Sequence, residues 1–235
     1  IMEKLISNIY NFIDKNYHQK AINRILMNLD LKKVIDIGAH KGEFLENIIS
    51  INKKMKVYSF EPQSKIFTNL QNSFIAKKNI FFYNLAISNV NKKQKLNINI
   101  KTSTSTFSNY NESSYWKKIK DFLIAGLNKS SIVNSELVQS ITLDKFCKKN
   151  DIKKIDLLKI DTEGHEFEVL SGATNLLKKD IRYILIEFHF SKIYKNYNKI
   201  KIEKLLKKNN YILIKKFKFP FLTFEDRIYR KHLTN

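Results

Sequence analysis

The sequence predicts an α/β domain built on a parallel sheet. From Val34 onward, short runs rich in β-branched and aromatic residues alternate with segments of helical periodicity, which is the pattern of successive βαβ units. The 235 residues, 43% of them apolar, are enough for one sizeable core. No run approaches the roughly 18 consecutive apolar residues of a membrane span. We therefore expect a soluble, globular chain with helices packed on its sheet.

Each predicted element follows from its local pattern. Strands are expected where β-branched and aromatic residues cluster, and helices where apolar residues recur every three or four positions. The strands are predicted over 33–37, 56–61, 80–87, 94–100, 155–160, 181–188, 211–217 and 223–230. The helices are predicted over 42–51, 64–76, 143–150, 165–177 and 196–208, with a further helix within 115–127.

Residues 1–31 are predicted to form a helical extension that precedes the main domain at 32–235. Apolar residues recur at helical spacing through this extension. Such a stripe packs on the domain, or else it contacts an anionic membrane surface with the help of Lys4, Lys15 and Lys20.

The expected compartment is the cytoplasm. The N-terminal segment lacks the pattern of a secretory signal. Cys147 is the only cysteine, so no disulfide within the chain and no cysteine-based zinc site can form.

The charge balance indicates anionic partners but argues against nucleic acid. The chain carries 43 Lys and Arg against 22 Asp and Glu, a formal net charge of +21. Such an excess is typical of phosphate binding. However, lysine greatly outnumbers arginine and is spread along the chain with Asn and Ile, which indicates a compositional bias instead.

A glycine-containing turn follows the first predicted strand. Within the segment Val34–Phe44, Asp36, Gly38 and Gly42 form the motif D-x-G-x-x-x-G. At the carboxyl edge of the sheet, Gly38 would let a ligand approach the backbone, and Gly42 would let the chain turn into a helix. His40 stands where a dinucleotide-binding motif needs glycine, so the turn suits a smaller zwitterion.

An acidic residue ends the second predicted strand. Glu61 lies 25 residues after Asp36, where such sheets bind both hydroxyls of a ribose. The third strand would place Asn84 and Ala86 beside an adenine. A zwitterion, a ribose and a purine on one sheet edge together describe S-adenosylmethionine as the cofactor.

A third motif is specific enough to indicate one protein family. Lys159–Ala173 reads K-I-D-T-E-G-H-E-F-E-V-L-S-G-A, a strand followed by an acidic turn and a helix. Together with D-x-G-A-x-x-G-x-F at 36–44, F-E-P at 60–62 and A-I-S-N at 86–89, this motif resembles the FkbM family of S-adenosylmethionine-dependent methyltransferases. The resemblance extends over about 33–216 and says nothing about the acceptor.

The resemblance implies a class I methyltransferase (Rossmann-like) fold, with a seven-stranded, mostly parallel sheet, an antiparallel C-terminal hairpin and helices on both faces. It implies methyl transfer to a hydroxyl oxygen, with a sugar, nucleotide sugar or glycan as acceptor. The family's cofactor-binding positions fall on Asp36, Gly38, His40, Gly42, Glu61 and Ala86. The acidic turn beside the transferred methyl falls on Asp161, Glu163 and Gly164.

A sugar hydroxyl is a poor nucleophile, so a general base is expected near the acceptor. His189 is the first candidate, because Glu187 lies on the same face of the predicted strand and would orient the imidazole. Asp161, Glu163 and His165 are the alternatives. The two acids could instead cap the following helix.

A divalent metal is a further alternative. Four side chains that follow the predicted strands could hold one cation that acidifies the acceptor hydroxyl. They are Asp161, Glu163, Glu187 and His189.

The segment 101–138 interrupts the alternation of strands and helices and is predicted to be an insertion or lid. Tyr115 and Trp116 are candidates for stacking on a sugar, although Trp116 could equally anchor a helix on the domain. Arg182 and the many lysines would favour an anionic sugar.

Two other functions stay open at this point. One is methylation of RNA, which the charge favours, and the other is cofactor binding without turnover. The pattern does not predict an oligomeric state.

Overall fold

The computed structural model describes residues 12–115, 117–118, 132–189, 193–219 and 224–232. In chain order, the strands are β1 (Lys33–Ile37), β2 (Lys56–Phe60), β3 (Ile80–Tyr83), β4 (Ala86–Ile87), β5 (Lys93–Asn99), β6 (Ile132–Ile141), β7 (Ile155–Ile160), β8 (Ile181–His189), β9 (Tyr211–Lys218) and β10 (Phe224–Lys231).

The helices lie between these strands. A π-helical turn (Asp14–His18) leads into the first α-helix, and a 3-10 turn (Thr102–Thr104) follows β5. The α-helices are α1 (Gln19–Leu26), α2 (Glu43–Ile51), α3 (Ser64–Ser73), α4 (Leu143–Lys149), α5 (Glu166–Ser171), α6 (Thr174–Lys179) and α7 (Lys199–Lys208).

The larger sheet has seven strands in the order β3-β2-β1-β7-β8-β10-β9. Strands β1, β2, β3, β7 and β8 are parallel, whereas β10 runs antiparallel to both β8 and β9. The predicted fold class is therefore confirmed. The chain continues outward from β1 in both directions, and ligands bind beyond the carboxyl ends of the strands at such a point.

Apolar side chains cover both faces of this sheet. Successive strand residues point to opposite faces, so that Leu158 and Ile184 belong to one buried cluster and Leu157 to the other. Ile22 and Leu26 of α1 are buried in the same cluster as Leu157. Each such side chain contributes about 1.5–3 kcal/mol by burial. Helix α1 is thus part of the packing on the sheet.

Two predicted elements are interrupted in the structure. The predicted third strand stops at Tyr83, because the amide of Asn84 donates to two carbonyl oxygens just beyond β2, each at 3.0 Å. The helix predicted over 165–177 is divided at Gly172. There a Cβ would lie 2.0 Å from the carbonyl oxygen of Ser88, so helix and neighbouring loop touch through their backbones.

Strand β6 was not predicted, and part of it falls within the predicted insertion at 101–138. It pairs antiparallel with β5 and parallel with β4 in a three-stranded sheet. Its burial does not alternate regularly, so the period of two that marks a strand is weak there. Trp116 and most of the helix predicted within 115–127 lie outside the described residues.

Within the described residues, no helix is both long and apolar enough to cross a membrane. Contact of the N-terminal extension with a membrane surface stays a prediction.

Candidate active site

A cavity of about 930 Å³ opens at the carboxyl ends of the parallel strands. Its volume lies within the range of about 300–1,000 Å³ that is common for ligand sites. Eight of the predicted site residues line it: Gly38, His40, Glu61, Ala86, Asp161, Glu163, His165 and Glu187.

A buried lysine fixes the turn after β1. Lys159 Nζ donates to the carbonyl oxygen of Gly38 at 3.0 Å and lies 3.3 Å from Asp36 Oδ1 and 3.4 Å from Asp161 Oδ2. Burial works against the charge on Lys159, but the two carboxylates outweigh it and raise the pKa of the lysine. Burial raises the pKa of Asp36, and Lys159 only partly offsets this effect. Asp36 lies behind the cavity wall and holds Lys159 in place.

Both predicted glycines of this turn are in the left-handed region, and their surroundings leave no room for a side chain. At Gly38 (φ 81°), a Cβ would lie 1.8 Å from the carbonyl oxygen of Asp161, so the loops after β1 and β7 touch directly. At Gly42 (φ 94°), a Cβ would lie 2.5 Å from the ring of Phe74. Gly38 lines the cavity, whereas Gly42 packs the start of α2 against α3.

Glu61 is buried at the end of β2 and accepts a hydrogen bond from the backbone of the loop after β1. Its Oε2 accepts from the backbone N–H of His40 at 2.9 Å, and its Oε1 accepts from the backbone N–H of Gln63 at 2.8 Å. Burial raises the pKa of Glu61, while these donors work against the rise. A carboxylate offers about four acceptor sites, so Glu61 can accept a further hydrogen bond from a ligand.

Segment 102–105 covers this side of the cavity. His40 Nε2 lies 2.8 Å from Thr102 Oγ1, and the side-chain amide of Gln63 donates to the carbonyl oxygen of Thr102 at 3.2 Å. Ser105 Oγ donates to Gln63 Oε1 at 3.1 Å. The beginning of the predicted insertion therefore contacts the proposed cofactor loops.

The acidic turn after β7 is held by a buried glutamate. Glu166 Oε1 accepts from the backbone N–H and the hydroxyl of Thr162 and from the backbone N–H of Gly164, each at 3.1 Å. Burial raises the pKa of Glu166 to about 8, although these backbone donors oppose the rise. Glu163 on this turn accepts from the hydroxyl of Tyr194 at 2.5 Å.

Three carboxylates lie side by side on the sheet face that α1 covers. Asp161 directly follows β7, and Glu187 on the neighbouring β8 pairs with Asp226 on β10. All three line the cavity. Burial, followed by the charges of Asp161 and Glu163, raises the pKa of Glu187 well above its ordinary value. Glu187 therefore holds a proton more readily than an exposed glutamate does.

His189 lies behind this row of carboxylates. Its Nδ1 is 3.5 Å from Glu187 Oε1, and its Nε2 is 3.9 Å from Glu166 Oε1. Its ring packs edge-on against Tyr194 and Tyr197 and is almost fully buried. His189 does not line the cavity, so its position favours orienting Glu187 over touching an acceptor.

The remaining candidates are placed as follows. His165 lines the cavity with Nε2 2.9 Å from Ser88 Oγ, and burial lowers its pKa to about 4. Tyr115 is 72% exposed and outside the cavity wall, and Trp116 lies outside the described residues.

The four side chains considered for a metal are not gathered into a ligand set. Among the residues that the structure describes, no group of three or more His, Cys, Asp or Glu is arranged to hold a metal ion.

Sequence reasoning missed Lys159, Glu166 and Asp226. A signal existed for Lys159, because its position two residues before Asp161 in a strand places both on one face. Asp226 could be found only with the knowledge that β10 lies between β8 and β9.

The strand order and the cavity beyond the carboxyl ends define a class I methyltransferase fold. A family model described as the methyltransferase FkbM domain matches residues 36–213. The chain belongs to this methyltransferase family, as its motifs predicted, and the family assignment supports S-adenosylmethionine as the methyl donor.

Three known proteins illustrate the relationship. The hexuronic acid methyltransferase AglP of Haloferax volcanii is 34% identical over 64 residues, which are 27% of this chain and 26% of that protein. The crystal structure of methyltransferase FkbM from Methylobacillus flagellatus KT has a TM-score of 0.55 at 14% identity, covering 86% of this chain and 44% of the other. A putative rRNA methylase from Clostridium thermocellum has a TM-score of 0.51 at 9% identity, covering 93% and 97%.

The two structures show a shared fold alone. The 64 matched residues cover about a quarter of AglP, and this chain covers less than half of the FkbM structure.

Proposed function

We propose that the chain is an S-adenosylmethionine-dependent O-methyltransferase that methylates a sugar hydroxyl in a glycan or glycan precursor. The observation that carries this proposal is the match to a hexuronic acid methyltransferase over 64 residues. The carboxylate row beside the cofactor motif supports it, because a hydroxyl acceptor must lose a proton.

The residues of the cavity fit the proposed cofactor. Asp161 lines the cavity and suits the ammonium of the amino-acid part, while Lys159, whose three N–H groups face Gly38, Asp36 and Asp161, places positive charge nearby. Glu61 would accept from the ribose hydroxyls, and Ala86 would lie against the adenine. The buried Asp36 lies behind the cavity wall and supports the site through Lys159, whose Nζ is 3.3 Å from Asp36 Oδ1.

The chain's own contribution is positioning and proton removal. When bound, S-adenosylmethionine supplies a methyl group made electrophilic by the neighbouring sulfonium. The rigid loops at Gly38 and Glu61 would fix one reactant while the carboxylate row orients the other. Alignment of this kind supplies several kcal/mol of the barrier, about 7–11 kcal/mol in the best intramolecular cases. His189, the first candidate for the base, would act through Glu187, while Asp161 and Glu163 would face the acceptor.

A second groove, of about 440 Å³, suits the remainder of a sugar chain. Phe107 and His165 border both the groove and the main cavity. The groove is lined by Lys92, Lys93 and Lys95 together with the amides of Gln94, Asn109 and Asn196. Amides and lysines bind hydroxyl and carboxylate groups, so the groove supports an anionic carbohydrate as acceptor.

RNA methylation is the second candidate, because the net charge of +21 favours a phosphate backbone. Cofactor binding without turnover is the third.

Methyl-labelled cofactor separates these functions when it is incubated with the protein and, in parallel, with nucleotide sugars, cell-surface glycans and bulk RNA. We expect label in a carbohydrate fraction and none in RNA. Glu61→Ala should abolish the transfer, whereas Asp30→Asn, which changes an exposed acid outside the cavity, should not. Label in RNA would overturn the sugar assignment. Binding of S-adenosylhomocysteine in calorimetry, without transfer to any fraction, would instead favour the non-catalytic role.

A further inference from the structure

We propose that Asp226 receives the proton of the acceptor hydroxyl and that His18, from the N-terminal segment, positions the Asp226 carboxylate. The inference rests on the proposed function and assigns the base within the same cavity. Neither residue belongs to the motifs that predicted the site.

The contact between the two side chains is short and directional. His18 Nε2 lies 2.7 Å from Asp226 Oδ2. An ionised carboxylate only accepts hydrogen bonds, so Nε2 carries the shared proton and donates it. Asp226 lines the cavity and His18 does not. The carboxylate therefore faces the acceptor space, and the imidazole supports it from behind.

Aromatic rings fix the orientation of the imidazole. The His18 ring packs edge-on against Phe219 and Phe224, with centroids 5.4 Å away in both cases, and against Phe217 at 6.5 Å. The His18 side chain is 2% exposed. A ring held in this way loses little freedom when it donates, so its hydrogen bond directs the carboxylate efficiently.

The charges around Asp226 distinguish it from its neighbours in the row. Asp161 is already engaged by the buried Lys159, whose Nζ lies 3.4 Å from its Oδ2. Glu187 lies between two acids, and its tendency to stay protonated makes it a poor acceptor of another proton. Asp226 has His18 on one side and Glu187 on the other, so an imidazole N–H supports its carboxylate directly while Lys159 acts on it from farther away.

The proposed step transfers one methyl group and one proton. The acceptor oxygen forms a bond to the methyl carbon as its proton passes to Asp226, and the carbon–sulfur bond breaks with its electron pair left on sulfur. The products are a methyl ether and S-adenosylhomocysteine. Asp226 then returns the proton to solvent.

The test compares His18→Ala, His18→Gln and Asp226→Asn with the unchanged protein. Tyr17→Ala is the matched control, since Tyr17 adjoins His18 but is 67% exposed and outside the cavity. Asp226→Asn should lower kcat by about 10²–10⁴-fold. His18→Ala should lower kcat by about 10- to 100-fold, and His18→Gln by less, because glutamine keeps an N–H donor. KM and S-adenosylhomocysteine affinity should stay within a few-fold.

The pH profile separates positioning from a merely structural role. Burial raises the pKa of Asp226 and the bond from His18 opposes this rise, so loss of His18 should move the acidic limb of kcat to higher pH. Asp161, Lys159 and Glu187 also face Asp226 but are unchanged in these variants. An unmoved limb in a folded His18→Ala protein, or full kcat in Asp226→Asn, would overturn the proposal.

A measurement that needs no methyl transfer tests the His18–Asp226 pair independently of the proposed function. In NMR spectra, the His18 Nε2–H should exchange slowly with water and should lose this protection in Asp226→Ala. Loss of protection in that variant supports the pair even if no tested acceptor is methylated, which would count against the proposed function alone. Fast exchange in the unchanged protein would refute the pair.

Discussion

Replacing Glu166 by glutamine should change how the stability of the protein depends on pH. Glu166 is fully buried beneath the acidic turn, and its pKa is raised to about 8. In the unfolded chain the carboxyl ionises near pH 4.5. Between these two values the folded protein keeps a proton that the unfolded chain has lost. This contribution to stability is complete below pH 4.5 and is lost as the pH rises through about 8.

The size of the effect follows from proton linkage. One proton retained only in the folded state lowers the free energy of unfolding by about 1.4 kcal/mol for each pH unit. From pH 5.5 to 8.5 the unchanged protein should therefore lose about 3 kcal/mol through Glu166. Glu166→Gln keeps the acceptor oxygen for the N–H groups of Thr162 and Gly164 but cannot ionise. Relative to the unchanged protein, this variant should gain about 3 kcal/mol over that range.

Urea unfolding at pH 5.5, 7 and 8.5 measures this difference. Glu187 is present in both proteins, but the charge of Glu166 is one of the causes that raise the pKa of Glu187, so only the part of its titration that is independent of Glu166 cancels in the comparison. Glu168→Gln is the matched control, because Glu168 lies on the same helix with its side chain one-third exposed. Its stability curve should follow the unchanged protein much more closely. If Glu166→Gln and the unchanged protein differ by the same amount at all three pH values, the burial argument is wrong.

Three further predictions concern the ligand-binding surfaces. Gly38→Ala should lower the free energy of unfolding by at least about 1–2 kcal/mol for the left-handed backbone alone, which thermal unfolding measures. It should also weaken S-adenosylhomocysteine binding in calorimetry, because the new Cβ would displace the carbonyl of Asp161. Glu61→Ala should weaken S-adenosylhomocysteine binding about 10- to 100-fold, since the one further hydrogen bond that the Glu61 carboxylate can accept from a ribose hydroxyl is worth roughly 1.5–3 kcal/mol. Lys93→Ala combined with Lys95→Ala should raise KM for a carboxylated sugar several-fold while leaving kcat unchanged, and the effect should shrink at high salt.

Controls and contrary results differ among these three. Gly38→Ala with unchanged melting and binding would show that the loops after β1 and β7 can separate at little cost. Asp30→Asn controls for the loss of one acidic side chain, and equal losses in it and in Glu61→Ala would remove Glu61 from the site. Lys215→Ala combined with Lys216→Ala controls for net charge, and an equal rise in KM there would mean that the groove has no special role.

The sequence predicted the cavity residues that follow β1, β2 and β7 better than those on the side of Asp226. Gly38, Glu61 and Asp161 follow strands that are continuous in sequence, and the carboxyl ends of parallel strands meet at one edge. The fold was therefore enough to bring them together. Asp36 lies behind the wall because it points to the sheet face where Lys159 is buried, and its contact with Lys159 depends on the register of two strands.

The side of the cavity that contains Asp226 depends on contacts between distant segments. His18 and Asp226 are 208 positions apart, and no local pattern predicts that they meet. His189 shares a strand face with Glu187, as expected. Its exclusion from the cavity depends on Tyr194 and Tyr197, which belong to the loop after β8. Strand β6 was missed because its burial alternates only weakly.

The two walls of the cavity have different relations to the family. Residues 36–213 match the family domain, and they include the glycine turn, Glu61 and the acidic turn. His18 precedes that range, and Asp226 follows it on a strand that completes the sheet between β8 and β9. The wall that carries Asp226 can therefore change through substitutions that leave the matched range intact. A fragment trimmed to the matched range would lose this wall and leave β8 without its antiparallel neighbour.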